Sequence, residues 1–259
     1  MPERETSKFS SEAKTYVVPY SCFEIKEDLI ISTNKNQKLI SKQIEKEIFK
    51  DPNPELFLIA GSWGSGTSAF TGVLKNLGLY IPGPYLMSND PRTPNTFETQ
   101  SFRNTVLDLC NESNVSRVQN SSIIYKELNK FKSKMLLDEN ISQGKSFGLK
   151  LPLSAILLPE LNKVFKLKLI ICIRPFEEIE KSRIRREWPL YLGKMGAQLI
   201  YSSIFNQIIN SKLPFCIIRY SELISNKECL NCIKKLTSFC DLNPTQKQIK
   251  SALEFINSK

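Results

Sequence analysis

The sequence predicts an α/β fold: a three-layer sandwich with a central parallel sheet and a strand–loop–helix that resembles a phosphate-binding loop. Three observations point to it. The runs Leu56 to Ala60, Lys168 to Ile173 and Phe215 to Tyr220 are short and apolar without alternation, as expected of strands covered on both faces. Each is followed by residues with helical periodicity, and strands alternating with helices imply parallel pairing through right-handed crossovers. The first run also breaks into a glycine-rich turn at Gly61, Gly64 and Gly66.

Taken in order, residues 1–54 read as a polar extension with a short strand at Tyr16 to Val18 and a helix across Ile40 to Phe49; residues 55–259 read as the α/β domain. After the first strand, Phe70, Val73, Leu74 and Leu77 recur on one helical face that ends at Gly78. The segment Pro82 to Asn95, rich in proline and asparagine, reads as a loop over the active site or a wall for the acceptor. Helices follow at Glu98 to Leu109 and Ser121 to Leu137, then a strand at Ser146 to Lys150 and a helix containing Leu157, Leu161 and Val164. Past the strand ending at Ile173, Glu177 and Glu178 mark an acidic helix start. The last strand leads into an amphipathic stretch that runs through Phe239.

Composition narrows the function. With 41% hydrophobic and 24% charged residues, a chain of 259 residues can bury a full core. No apolar run approaches the roughly 20 residues that cross a bilayer, and MPERETSKFSSE lacks a secretory apolar core, so a cytoplasmic protein without a transmembrane segment is expected. The net charge of +10 comes from lysines scattered along the chain, with no nucleic-acid-binding signature beside them. Seven cysteines suit buried thiols, and the single C-x-x-C at Cys229 and Cys232 has neither histidine nor a second pair to complete a zinc site.

The glycine loop carries the chemistry. Free N–H groups at the start of the following helix, at its positive dipole end, attract a cluster of anionic oxygens. Gly61 and Gly66 have the separation of a nucleotide triphosphatase loop, but Thr67 stands where that loop has its lysine, which argues against magnesium-dependent hydrolysis. A strand-to-helix turn that binds nothing would read the same way.

The series Ser65, Gly66, Thr67, Ser68 resembles the 5′-phosphosulfate loop of sulfotransferases, and Arg174-Pro175 at a strand exit with Ser182 eight positions on is similar to their 3′-phosphate site. The segment Phe215 to Leu223 looks like their C-terminal strand and helix. The resemblance spans about Glu55 to Ile256 and implies a PAPS-dependent sulfotransferase, PAPS being 3′-phosphoadenosine 5′-phosphosulfate. It implies Gly64, Ser65, Gly66, Thr67 and Ser68 at the 5′-phosphosulfate and Arg174 and Ser182 at the 3′-phosphate, with no metal required. A small-molecule, glycan or lipid acceptor, through a hydroxyl or amine, would take the sulfuryl group.

Two positions are implied as catalytic. Glu98, behind an aromatic, resembles the family's acceptor-side base, and it would also suit a first helical turn. Gly64 departs from the pattern, because most sulfotransferases carry lysine or arginine there. Lys150, in Gly-Leu-Lys-Leu-Pro, stands where cytosolic members have an acceptor-facing histidine, and it either replaces the missing cation or reaches solvent from the strand end. Trp63 suits closure over the site or packing beneath it. Arg183, Arg185 and Arg186 suit a focus of positive potential or a solvated helix face. The alternatives are a catalytically weak relative that binds PAPS or its product 3′-phosphoadenosine 5′-phosphate (PAP), and a nucleotide kinase, which would need the missing loop lysine and a magnesium carboxylate.

Overall fold

The computed structural model describes residues 53–257, so the strand expected at Tyr16 to Val18 and the helix across Ile40 to Phe49 lie outside the described residues. Among the described residues four parallel strands form the main sheet: β1 (Glu55–Ala60), β6 (Phe147–Lys150), β7 (Lys166–Ile173) and β8 (Phe215–Arg219), in the order β6-β1-β7-β8. Side chains alternate between two cores. Leu56, Leu58 and Ala60 join Leu167, Leu169 and Ile171 on one face, while Phe57 and Ile59 join Ile170 and Cys172 on the other. That sheet between two apolar layers is the three-layer arrangement the continuous apolar runs predict.

The helices divide between the layers. On one face lie α2 (Gln100–Leu109), α3 (Ser121–Met135), α5 (Leu158–Val164) and α7 (Lys194–Asn210), contributing Phe102, Ile124, Leu161 and Ile200. On the other lie α1 (Thr67–Asn76), α9 (Cys229–Phe239) and α10 (Gln246–Asn257), contributing Phe70, Ile233 and Ala252. Short helices α4 (Glu139–Ser142) and α8 (Tyr220–Leu223) complete the connections with α6 (Phe176–Arg185). The six described cysteines are buried free thiols. Cys229 and Cys232 pack into the second core, and burial pushes the Cys240 thiol up to about 12.

Two readings change. Glu98 is not in a first helical turn: it belongs to β3 (Asn95–Thr99), and the helix begins only at Gln100. The Pro82 to Asn95 segment is not all loop, because β2 (Tyr85–Met87) pairs antiparallel with β3. Phe97 causes both. Its left-handed backbone, φ 57°, interrupts the helical pattern, and its buried ring packs edge-on against Tyr85 and Phe255. The small hairpin of β4 (Cys110–Asn111) and β5 (Ser116–Arg117) follows α2.

No helix among the described residues is long and apolar enough to cross a membrane. The order β6-β1-β7-β8 makes β1 a switch point, with the later strands leaving on opposite sides of it. In open parallel sheets the crevice at the carboxyl ends beside such a point is where ligands bind.

Candidate functional site

All four strands of the main sheet deliver a residue to one cleft at that edge. It has a volume of about 390 Å³, and Gly64 and Gly66 follow β1, Lys150 ends β6, Arg174 follows β7 and Tyr220 follows β8. Six basic side chains line it (Arg92, Arg103, Lys150, Arg174, Arg185, Arg186) against two acidic ones, Glu98 and Glu112. An excess of cations in a walled cleft concentrates positive potential on a polyanion.

The loop after β1 is organised around its own turn. The Ser65 amide and hydroxyl both donate to the Ser62 carbonyl, at 3.1 and 2.7 Å, so Ser65 lies buried within the loop while Gly64, Gly66, Thr67 and Ser68 line the cleft. Gly66 holds φ 96° and caps α1; a Cβ there would sit 2.2 Å from the Tyr220 ring. The first amides to bond back are those of Ala69 and Phe70, both to Gly66 O, leaving the Thr67 and Ser68 amides at the helix mouth. Ser68 Oγ donates to Thr96 O at 3.1 Å and ties the loop to β3.

Arg174 and Ser182 meet directly. Arg174 Nη1 donates to Ser182 Oγ at 3.1 Å and to Gly64 O at 2.9 Å, and its guanidinium lies 4.7 Å from the centre of the Tyr220 ring. Glu178 balances it at 3.6 Å. This explains Gly64 in its neighbourhood: with φ 73° and a would-be Cβ 3.3 Å from Ser182 Cβ, that position sits close against the arginine's own partner. Tyr220, which the sequence places in a structural C-terminal element, is therefore a wall of the cleft.

Lys150 does not reach solvent from its strand end. Its side chain is 5% exposed and donates to Glu98 Oε1 at 2.7 Å, with Arg103 Nε 3.7 Å from Glu98 Oε2. Two residues 52 positions apart thus form one buried ion pair on the cleft wall. Opposite charges in such surroundings persist only when paired, because each alone would lack the hydration it gave up.

Of the far wall, only the basic run Arg183, Arg185 and Arg186 was readable in the sequence. Glu112, delivered by the β4–β5 hairpin, has its pKa raised, first by burial and then by the charge of Glu98, with Arg103 opposing. Trp188 stacks 4.4 Å beneath the Arg186 guanidinium. Asp90 accepts from Arg185 and lies 2.6 Å from Arg186 Nε; the Arg185 bond is the main cause that lowers its pKa to about 2. Burial lowers the Arg186 pKa, with Asp90 opposing. Arg183 turns away, to Glu180 and to the Trp188 carbonyl. Trp63 is buried in the core and also lines the cleft, so packing and site are not alternatives for it. The contacts of Asp90 with Arg185 and Arg186 have no local sequence signature, since they join connections 95 positions apart.

Among the described residues no group of three or more histidine, cysteine, aspartate or glutamate side chains is placed to hold a metal. No family model matches this chain, and no curated protein matches it. Solved structures similar to it include a sulfotransferase from Mycobacterium tuberculosis (13% identity, 82% of this chain and 73% of that one, TM-score 0.45). They also include a sugar kinase from Janibacter (15%, 74% and 96%, 0.44) and a sulfotransferase from Mycobacterium avium (13%, 83% and 71%, 0.43).

Proposed function

We propose that the protein is a sulfotransferase that binds PAPS in the cleft at the sheet edge and passes its sulfuryl group to a hydroxyl or amine of a small-molecule, glycan or lipid acceptor. The observation that carries this reading is the convergence, from four strand ends, of a glycine loop, an arginine–serine pair and a buried Lys–Glu pair in a cleft with six basic side chains. The donor set suits a nucleotide with phosphates at both ends of its ribose. The Thr67 and Ser68 amides with the Thr67 hydroxyl would hold the 5′ side against Gly64 and Gly66, with Ser65 shaping the turn and Ser68 Oγ tied to Thr96, and Arg174 with Ser182 would hold the 3′-phosphate.

PAPS supplies an activated sulfuryl group when bound. The chain's own residues then position and deprotonate the acceptor. Glu98, fixed by Lys150 at Oε1 and flanked by Arg103 Nε 3.7 Å from Oε2, would use Oε2 as the base for the acceptor proton. Once that carboxylate takes the proton its hold on Lys150 weakens, and the ammonium charge becomes available to oxygen that gains charge during transfer. That coupling assigns Lys150 the task which a loop cation performs in most of the family. A cytoplasmic location and a metal-free reaction belong to the same proposal.

A second reading, a nucleotide-binding relative with little transfer activity, draws on Gly64, where a cation would otherwise stand. Calorimetric titration with PAP, ADP and magnesium ATP at one ionic strength separates the possibilities. The proposal expects PAP to bind at least tenfold tighter than ADP. Preference for magnesium ATP would move the protein to the kinases, and absence of any nucleotide binding would sink the assignment. Selective PAP binding without transfer to any of a broad set of acceptors would favour the second reading.

A further inference from the structure

The strap between β2 and β3 holds a carboxylate against two guanidiniums. Asp90 is 8% exposed in its side chain. Its Oδ1 accepts from Arg185 Nη1 at 3.2 Å and from the Arg92 amide at 3.1 Å, and its Oδ2 accepts from Arg185 Nη2 at 3.0 Å and lies 2.6 Å from Arg186 Nε. Arg186 Nη2 donates to Thr93 Oγ1 at 3.1 Å, and the Trp188 ring supports the guanidinium from below. A second depression, of about 460 Å³, is lined by Ser88 to Pro91 and residues 185–188, and it shares Ser88, Arg185, Arg186 and Trp188 with the main cleft. Two guanidiniums thus face an open depression that shares part of its lining with the main cleft and includes none of the glycine-loop residues. The group between them belongs to a surface connection, not to the core.

We propose that Arg185 and Arg186 form an anion subsite at the acceptor end of the cleft, held by Asp90 in the free protein and taken over by a phosphate, sulfate or carboxylate group of an anionic acceptor. The guanidinium fork suits this exchange, since it takes a phosphate in the bidentate manner in which Arg185 takes Asp90. An intramolecular carboxylate is a competitor at high effective concentration, so it weakens adventitious anions and yields to a ligand that gains further contacts in the cleft. On release, the segment Ser88 to Pro94 loses the ties of Asp90 to Arg185 and Arg186, keeps the Thr93–Arg186 bond to that end of α6, and can open for the acceptor. The word acceptor rests on the sulfotransferase reading; the anion subsite does not.

The test is calorimetry with inorganic phosphate at constant ionic strength on the wild-type protein, Asp90→Asn and Asp90→Asn/Arg186→Gln, each with and without saturating PAP. Removing the internal competitor is expected to tighten phosphate binding about tenfold, the second substitution to abolish the gain, and PAP to leave it in place. Hydrogen exchange in residues 88–94 is expected to rise when phosphate is added to the wild type. If Asp90 is a structural tie, Asp90→Asn will leave phosphate affinity unchanged and only lower the melting temperature; that result, or complete displacement of phosphate by PAP, overturns the subsite. Asp90→Ser serves as the second variant should the asparagine protein fold poorly. Failure of PAP to bind selectively, with the Asp90→Asn gain intact, removes the sulfotransferase reading and leaves the subsite standing.

Discussion

The two ends of the cleft are built by different means. At the glycine-loop end, Gly64, Gly66, Thr67 and Ser68 come from one five-residue stretch, and Arg174 and Ser182 lie eight positions apart on one strand–helix unit. At the other end Glu98 reaches 52 positions to Lys150, and Asp90 reaches 95 to Arg185. The first end gets its shape from backbone that the main sheet already holds in place; the second depends on charge pairs between separate connections. An end made of backbone tolerates loss of a side chain, whereas an end made of ion pairs leaves a stranded charge behind. Substitutions at the second end should therefore act on stability as much as on ligands.

The strongest way to break this contrast is Glu98→Ala, which leaves Lys150 buried opposite no carboxylate. We expect a loss of about 3–5 kcal/mol, read as a fall of roughly 6–20 °C in melting temperature, and substantial recovery in Glu98→Ala/Lys150→Met. If the double variant is no more stable than the single one, the pair is not the cause. Next comes Gly66→Ala, where left-handed strain of about 1–2 kcal/mol adds to the displacement of Tyr220 that a Cβ at 2.2 Å demands. Nucleotide binding should fall with stability there, because the same residue caps α1. A variant with unaltered PAP affinity would remove the loop from the site.

Arg174→Ala should be selective where the first two are broad. It removes a charged donor set worth about 1.5–3 kcal/mol, so affinity for PAP should fall roughly tenfold to a hundredfold while that for ADP falls much less; equal losses would remove the 3′-phosphate role. The smallest effects separate two carboxylates of the far wall by the sign of their pH dependence. Asp90 is depressed to about 2, from 3.8, chiefly by Arg185. Its contribution is fully present above about pH 4 and is lost as the pH falls toward 2. Glu112 is raised above its ordinary 4.5, chiefly by burial, so as a charged group it disfavours the fold once the pH exceeds that value. Melting curves should accordingly show Glu112→Gln stabilising at neutral pH, with the gain vanishing below pH 4, and Asp90→Asn destabilising at neutral pH, with the loss fading only near pH 2. Identical pH profiles for the two variants would contradict the assigned environments.

The legibility of each region follows from the range of the forces that build it. The strands of the sheet were readable because burial on both faces demands apolar residues through their central positions, and the glycine loop because left-handed backbone at Gly64 and Gly66 excludes most side chains. The α7 helix went unread because its apolar residues fall on several sides, with Met195, Leu199 and Ile209 exposed and Ala197, Ile200 and Ile204 buried. Glu98 was placed in a helix because its own turn of sequence is compatible with one; the left-handed turn at Phe97 is imposed by the packing of that ring between Tyr85 and Phe255.

By itself, then, the sequence determined the alternation of buried strands and helices, the glycine turn and the arginine–serine spacing, all of which are written in residues less than a dozen positions apart. Only the tertiary structure decided that Lys150 is buried against Glu98, that Tyr220 and Trp188 support the guanidiniums of Arg174 and Arg186, and that Asp90 lies across the cleft on Arg185. Local backbone geometry restricts residue type position by position and so leaves a pattern in the chain. A charge pair restricts only the sum of two distant side chains, and until the fold brings them together each one looks like any other charge on a surface.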